Sequence, residues 1–263
     1  MNQNRLDAHR VNHLNIYKII KSTKKHLENY GVDEYFYDMC DAVIASCKPS
    51  YIFYFALEIK EADRDFFSIA MAKTLNPLYI VWFAEYVDGA NIPVLQDAIL
   101  RIGDLKEIIN FARDIPGADV ELLCQNVIHS RDPLAIFRFA IEVQGADIWL
   151  LSREMAKTQD PYYMHIFAKE FEQEADLDAL REGVIKYGSD EQIYLFAKEF
   201  GDDQEKNMQK AMLMGKDYRL LVKFARFVNG SDRHELLQRA RELKMSRKIK
   251  KVEEIILNLY EEN

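Results

Sequence analysis

Five basic side chains recur at an almost constant interval along the chain. They are Lys73, Arg101, His129, Lys157 and Lys186, separated by 28, 28, 28 and 29 residues. We call this set the basic row. A line of positive charge could hold an acidic peptide or a series of phosphate groups. The same positions also fit a simpler role, because basic side chains near the end of a helix complement the negative end of its dipole.

A second periodic set carries the opposite charge. The acidic row consists of Glu58, Asp114, Glu142, Glu170 and Glu199. We expect these carboxylates to pair with the basic row across layers of helices. In that case neither row would be available to bind a partner, and the contact surface would lie among tyrosines and variable polar positions.

Aromatic residues with polar ends form a third candidate surface. Tyr51, Tyr79 and Tyr163 share one position of the repeat, and Trp82 and Trp149 add two large rings. Tyrosine and tryptophan are enriched where proteins bind one another. The alternative interpretation places these tyrosines partly buried between helices, with only the hydroxyl group near solvent.

Catalytic and metal-binding patterns have little support in the sequence. His9 and His13 could face the same way on a helix, but no further ligands accompany them, so an uninvolved surface pair is the favoured interpretation. The chain has no nucleophile elbow, Walker loop or dinucleotide-binding glycine pattern. We therefore expect no enzymatic activity, no cofactor and no metal.

The elements that position these residues are paired helices. The dipeptide Phe-Ala begins at Phe55, Phe83, Phe111, Phe139, Phe167, Phe196 and Phe224, with steps of 28 or 29 residues. A period of this length is typical of solenoids and related repeat arrays. Apolar residues three before and four after each Phe predict an amphipathic first helix, the A helix. A second helix, the B helix, carries its own apolar set.

Residues that begin and end helices occur at the expected places. Asn76-Pro77, Asp132-Pro133 and Asp160-Pro161 predict A-helix starts, with Lys48-Pro49 a weaker version. Glycines are expected to end most A helices; these are Gly89, Gly117, Gly145, Gly201 and Gly230. Acidic or amide caps are expected to start the B helices; these are Asp63, Asn91, Asp119, Asp147, Asp176 and Asp232.

These patterns predict an all-α, right-handed superhelix of αα-hairpins. We expect one solenoid domain over residues 1–263. Residues 1–47 form a degenerate first repeat, residues 48–244 form seven hairpins, and residues 245–263 form a C-terminal cap helix that starts at Ser246. Terminal repeats need a polar outer face, which the charged side of the last segment supplies.

Charge and cysteine content narrow the choice of partners. The net charge is −8, which disfavours nucleic acid and either suits a basic partner or only keeps a long molecule soluble. The stretch from Arg239 to Lys251 is basic and could touch an acidic partner. Cys40, Cys47 and Cys124 form no CxxC pair and are typical of reduced thiols in a cytoplasmic protein. No apolar run is long enough to span a bilayer.

In its tandem helical hairpins over residues 14–260, the chain resembles the α-solenoid proteins of the HEAT-like type, at the level of architecture. The resemblance implies protein binding, scaffolding or, in some members, nucleic-acid binding. We expect a non-enzymatic protein-binding scaffold or adaptor with a protein or peptide partner. The alternatives are a nucleic-acid-binding or base-excision protein of HEAT-like type, and an acidic inhibitor that occupies a nucleic-acid-binding partner.

Overall fold

The computed structural model describes residues 14–201 and 206–261, and within these ranges all regular structure is helical. The described residues form two compact units. The first contains the chain up to Ser130 together with Ile141–Ala146, and the second contains Arg131–Ala140 together with the chain from Asp147. The predicted fold class, an all-α array of hairpins, is confirmed. Its right-handed sense and the single domain over 1–263 stay predictions.

Among the described residues, the first unit contains eight complete helices. These are α1 (Leu14–Tyr30), α2 (Glu34–Ala45), α3 (Pro49–Glu58), α4 (Arg64–Lys73), α5 (Pro77–Tyr86), α6 (Ile92–Ile102), α7 (Leu105–Asp114) and α8 (Val120–Ser130). Odd-numbered helices are A helices and even-numbered helices are B helices. Each A helix packs against its own B helix, and the A helices also pack against one another in chain order. The B helices α4 and α6 are in direct contact.

The second unit repeats this arrangement. Its helices are α10 (Ile148–Met155), α11 (Pro161–Glu170), α12 (Leu177–Tyr187), α13 (Asp190–Phe200), α14 (Lys206–Met214), α15 (Tyr218–Phe227) and α16 (Arg233–Glu261). The B helices α10, α12, α14 and α16 pack in chain order, each against the next. The division between the units falls inside α9 (Pro133–Glu142).

The Phe of each Phe-Ala pair explains why the hairpins form. All seven of these rings are fully buried, and each Ala that follows them is also buried. A small residue beside a large ring lets neighbouring helices approach closely while the ring fills the space between layers. In the first hairpin after α2, for example, Phe55 stacks on Phe67 of the B helix with ring centroids 5.5 Å apart.

The predicted helix starts are confirmed by hydrogen bonds. Asp132 accepts from the backbone N–H groups of Leu134 and Ala135, and Asn76 accepts from that of Tyr79. The B-helix caps behave in the same way; they are Asp63, Asn91, Asp119, Asp147, Asp176 and Asp232. Lys48 makes no side-chain capping bond. Each cap satisfies backbone donors that a helix leaves unpaired.

Two expectations about helix ends are wrong. Gly201 does cap its A helix, α13, with φ −67, but Gly89, Gly117 and Gly230 do not: the C-caps there are Val87, Ile115 and Val228, and the glycines are left-handed residues of the turns that follow. The C-terminal helix does not begin at Ser246, because α16 is continuous from Arg233 to Glu261. No Gly or Pro interrupts this segment, and a serine inside a helix costs little. The predicted C-terminal cap helix is therefore a continuation of the last B helix, α16.

A periodic hydrogen bond connects successive hairpins. A buried polar side chain on one B helix accepts from the backbone N–H of the residue that caps the next B helix. The pairs are Ser68 with Asn91 (3.0 Å), Gln96 with Asp119 (2.7 Å), Ser152 with Asp176 (2.8 Å) and Gln209 with Asp232 (2.7 Å). All four acceptor residues are buried. The bond fixes the position of one hairpin against the next and satisfies a backbone donor at each turn.

Candidate binding surfaces

The basic row lies at the C-terminal ends of the B helices, as the interval predicts. Lys73 is the last residue of α4, and Arg101, His129 and Lys186 lie in the last turns of α6, α8 and α12. Lys157 follows α10 by two residues. All five residues are exposed. We call the exposed side of the B helices that carries these residues the B surface.

The expected pairing between the two charged rows is wrong. Within the described residues the single ion pair made by the basic row joins Lys157 to Glu154 of the preceding helix, α10, at 2.7 Å. Arg101 donates to the backbone oxygen of Asp97, and Lys186 lies 4.9 Å from the ring centroid of Tyr187. The hydrogen bond with Tyr187 raises the pKa of Lys186, so this side chain keeps its positive charge.

The acidic row instead has cationic neighbours on A helices. Glu58 lies 2.9 Å from Lys24 of α1. Glu199 lies 2.7 Å from the Nε2 atom of His165 and 3.0 Å from Lys169. Burial raises the pKa of Glu199, but hydrogen bonds from Lys169 and His165 outweigh it and leave the pKa lowered. These partners lie on A helices, as the carboxylates do, so the acidic row does not neutralise the B surface. Carboxylates near the B helices do so in part, since Glu154 pairs with Lys157 and Asp176 lies 3.9 Å from Arg153.

In the second unit, two members of the basic row meet at one cleft. The cleft lies between α10 and α12, has a volume of about 280 Å³, and is lined by Arg153, Lys157, Lys186 and Tyr187 around a floor of small residues. The floor consists of Ala156, Ala179 and Gly183. A Cβ atom added to Gly183 would lie 2.8 Å from the sulfur of Met164, so glycine permits this close packing. Glu182 is the acidic residue of the lining.

An exposed tryptophan extends this cleft along α10. Trp149 is 54% exposed, and it precedes Arg153 by four residues and Lys157 by eight. Residues four apart lie on the same side of a helix, so the ring and Arg153 form one stripe on α10, and Lys157 lies just past the end of that helix. Tryptophan, tyrosine and arginine are the residue types that contribute most to protein-binding sites. Trp149 and Lys157 were separate candidates in the sequence, and it was not predicted from the sequence that they belong to one surface.

The first unit has a related B surface. On α4, Phe66, Ile69 and Lys73 are exposed and fall on one side of the helix. On α6, Val94, Asp97, Leu100 and Arg101 line an open groove of about 550 Å³. Each helix thus presents apolar side chains followed by a cation near its C-terminal end. Exposed apolar and cationic groups side by side suit a partner that is acidic and partly apolar.

The three tyrosines of the predicted site have different environments. Tyr79 is only 7% exposed and packs its ring against Phe53 and Trp82, so it follows the alternative interpretation, burial between helices. Tyr51 is half-buried with Lys48 over its ring at 4.6 Å. Tyr163 is half-buried beside Phe137. The cluster that covers Tyr79 forms because neighbouring A helices both carry large rings.

A cleft on the A helices was not predicted from the sequence. It lies between α5 and α7, has a volume of about 450 Å³, and places Trp82 beside Glu85, Glu107, Asn110 and Arg113. Glu107 is 7% exposed and interacts with Lys106 at 3.2 Å and Asn110 at 3.0 Å. A polar network that is bonded throughout in this way rigidifies the packing of two helices.

Arg113 connects this network to the next A helix. It donates two hydrogen bonds to Asp114, at 2.8 and 2.7 Å, one to Glu142 at 2.7 Å and one to Asn110 at 3.1 Å. The bonds to Asp114 are the main reason that the pKa of Arg113 is raised. A guanidinium bonded on all sides holds α7 and the end of α9 together, which is a structural role.

The histidine pair and the buried cysteine named from the sequence have different outcomes. His9 and His13 lie outside the described residues. Burial raises the pKa of the Cys40 thiol to about 11, which keeps it protonated and unreactive at neutral pH. Among the described residues, no three His, Cys, Asp or Glu side chains are arranged to hold a metal ion. No helix in residues 14–201 or 206–261 is long and apolar enough to cross a membrane.

Comparison with known proteins gives no match. No protein-family model, no curated protein and no solved structure is similar to this chain at a significant level. The B surface and its cleft are therefore the features from which a function can be inferred.

Proposed function

We propose that this chain is a non-enzymatic protein-binding scaffold or adaptor whose B surface holds an acidic segment of a protein partner. The observation that carries the proposal is the cleft between α10 and α12, where Arg153, Lys157 and Lys186 meet beside Tyr187, with Trp149 four residues before Arg153 on α10. Cations beside exposed aromatic rings combine charge attraction with apolar contact, which is typical of protein interfaces.

Two further observations support the proposal. The B surface is not neutralised by the acidic row, because the described ion pairs of that row lie on the A helices. The net charge of −8 opposes a nucleic acid, whose charge is spread over many phosphates; a short acidic segment meets the same repulsion but lies within a Debye length, ~8–10 Å, of the B-surface cations. The free cysteines Cys40, Cys47 and Cys124 support a cytoplasmic location for this activity.

The fluorescence of Trp149 tests the proposal. The chain has two tryptophans, and Trp82 is buried, so Trp149 is the ring that a peptide on the B surface can shield. We expect a glutamate-rich peptide to shift this emission at low salt, and raised salt to weaken the effect. Lys157→Gln and Lys186→Gln should each weaken binding about threefold, since an exposed ion pair contributes ~0.2–1 kcal/mol.

Lys223→Gln is the matched control, because Lys223 is exposed on the A helix α15 and lies outside the cleft. It should bind the peptide as the unaltered protein does. A lysine-rich peptide should leave the emission of Trp149 unchanged. Tighter binding of duplex DNA than of the acidic peptide would contradict the proposal and favour the nucleic-acid alternative. Equal affinities for all three lysine variants would place the binding surface elsewhere.

A further inference from the structure

Helix α16 is the longest helix in the described part of the chain and continues well beyond the length of a hairpin. It has 29 residues, whereas the B helices before it have 8 to 12. At a rise of 1.5 Å per residue it is about 43 Å long. Every residue from Lys244 to Lys250 is exposed. This part of α16 therefore has surface that a partner can contact.

One side of α16 packs on its own hairpin. Leu236 is fully buried, and Arg247, about three turns later on the same side, lies 5.6 Å from the ring centroid of Tyr218 on α15. Met245 and Ile249 are each two residues from Arg247, which places them roughly on the opposite side of the helix. They are 63% and 55% exposed. Two large apolar side chains thus lie on the side of α16 that faces away from its hairpin.

The spacing of these two residues continues in the sequence. Val252, Ile256 and Leu259 follow Ile249 at intervals of three, four and three residues, and Met245 precedes Ile249 by four. Apolar residues at alternating intervals of three and four form the seam along which two helices of a coiled coil pair. The seam covers only about two heptads, so the partner is a helix and the association is reversible.

The charges of this segment identify the partner helix. Residues 239–251 contain seven Lys or Arg and one glutamate, whereas residues 252–261 contain three glutamates and neither Lys nor Arg. A parallel pair of these helices would place like charges level with one another. An antiparallel pair places the basic half of each helix beside the acidic half of the other. The charges that a partner must present therefore occur in a second copy of α16.

We propose that the chain forms a homodimer in which the two copies of α16 pair as an antiparallel coiled coil. In the register that aligns the apolar seams, Met245 lies level with the second copy's Ile256, and Ile249 lies level with the second copy's Val252. The seam supplies the affinity and the charges set the orientation. Such an interface uses the same patch on both copies, so association stops at two. The dimer is independent of the proposed binding of an acidic segment.

Sedimentation equilibrium of the full chain tests the dimer. The average mass should rise from that of the monomer to that of the dimer over about a hundredfold range of protein concentration, as mass action requires. Met245→Gln/Ile249→Gln should raise the dissociation constant at least about tenfold, because each copy loses two apolar side chains that the dimer buries. Glutamine is a good helix former and both positions are exposed, so the fold should be retained.

Met214→Gln/Ile141→Gln is the matched control. It makes the same two exchanges at residues outside α16 that are 83% and 51% exposed. This variant should leave the dissociation constant unchanged. A chain that stays monomeric at every concentration would overturn the proposal. A dimer that the control weakens as much as Met245→Gln/Ile249→Gln does would place the interface elsewhere and would also overturn it.

Disulfide cross-linking decides the orientation. The experiment uses a Cys47→Ser background, because Cys47 is exposed whereas Cys40 and Cys124 are buried. In the antiparallel register, two Met245→Cys copies hold their new thiols about 16 Å apart along the helices, whereas the Cα atoms of a disulfide lie about 4.4–6.8 Å apart. Met245→Cys mixed with Ile256→Cys should therefore cross-link, and Met245→Cys alone should not. Cross-linking of Met245→Cys alone, or of neither sample, would show that the antiparallel pairing is wrong.

Discussion

One residue in each of five successive hairpins adopts a left-handed backbone conformation just after the B helix. These are Cys47 (φ 51), Leu75 (φ 51), Gly103 (φ 73), Arg131 (φ 55) and Gln159 (φ 65). They share one position of the repeat, and four of them are not glycine. A side chain with a Cβ atom costs roughly 1–2 kcal/mol in this conformation. The repeat therefore holds these residues in a conformation that glycine would adopt more easily.

At this position, introducing a glycine should raise stability, and replacing a glycine should lower it. Leu75→Gly should raise the free energy of unfolding by about 0.5 kcal/mol, because relief of the left-handed conformation outweighs the added freedom of the unfolded chain. Gly103→Ala should lower it by about 1 kcal/mol, although no atom lies within 4 Å of the added Cβ. Denaturant titrations measure both changes.

Leu75→Ala separates the backbone effect from the loss of the side chain. Leu75 is 56% exposed, so removing its side chain alone should change stability little. The alanine variant keeps the Cβ atom and hence the backbone cost. If Leu75→Ala stabilises the protein as much as Leu75→Gly does, the gain comes from removing an exposed apolar group and the conformational explanation is wrong.

At the scale of helices, the bond between a buried polar side chain and the next hairpin should be a main determinant of hairpin packing. Gln96 on α6 accepts from the backbone N–H of Asp119, which caps α8. Gln96→Met keeps the length of the side chain but leaves this donor without its acceptor. We expect a loss of about 1–2 kcal/mol in the free energy of unfolding and faster hydrogen exchange at the start of α8.

Gln125→Met is the matched control for this change. Gln125 is half-buried on α8, and its backbone oxygen, not its side chain, bonds with His129. The same exchange of glutamine for methionine should therefore change stability by less than about 0.5 kcal/mol, as for substitutions away from specific contacts. Similar losses for Gln96→Met and Gln125→Met would show that the hydrogen bond between hairpins contributes little.

Helix positions could be predicted because they depend on local patterns. The Phe-Ala interval and residues such as Asp132 and Asn76 mark where helices pack and start, and the structure confirms both. The hydrogen bond made by Gln96 could not be predicted, because its partner is a backbone group in the next hairpin. A polar residue directly after a buried apolar one was the signal in the sequence, at Gln96 after Leu95.

The surroundings of the candidate binding residues also could not be predicted from the sequence. The interval of 28 residues placed Lys73 and Arg101 at equivalent positions, but it did not say which carboxylates lie near them. Glu142 pairs with Arg113 because both lie on A helices, a fact of three-dimensional packing. Tyr79 and Tyr163 share one position of the repeat, yet only Tyr79 is buried, since its neighbours carry larger rings. Equal spacing in sequence does not give equal surroundings.

At the scale of the whole molecule, helices that pack mainly against neighbours in sequence should confine the effect of a core mutation. Phe83 is fully buried on α5, and α5 packs against α3, α4, α6 and α7. Phe83→Ala removes a large ring from this contact and should cost about 3–5 kcal/mol. In repeat arrays stability is approximately a sum of repeat terms and nearest-neighbour terms. The loss should therefore be greatest in the hairpins that contact α5.

Hydrogen exchange monitored by mass spectrometry measures this directly. Peptides from α3 to α7 should exchange faster in Phe83→Ala, whereas peptides from α13 and α15 should keep nearly their original rates. Phe224→Ala is the matched control, because Phe224 is the equivalent buried ring on α15. In Phe224→Ala, peptides from α13 and α15 should exchange faster, whereas peptides from α3 to α7 should keep nearly their original rates. Equal acceleration along the chain in both variants would mean that the helices unfold as one cooperative body, and the nearest-neighbour description would be wrong.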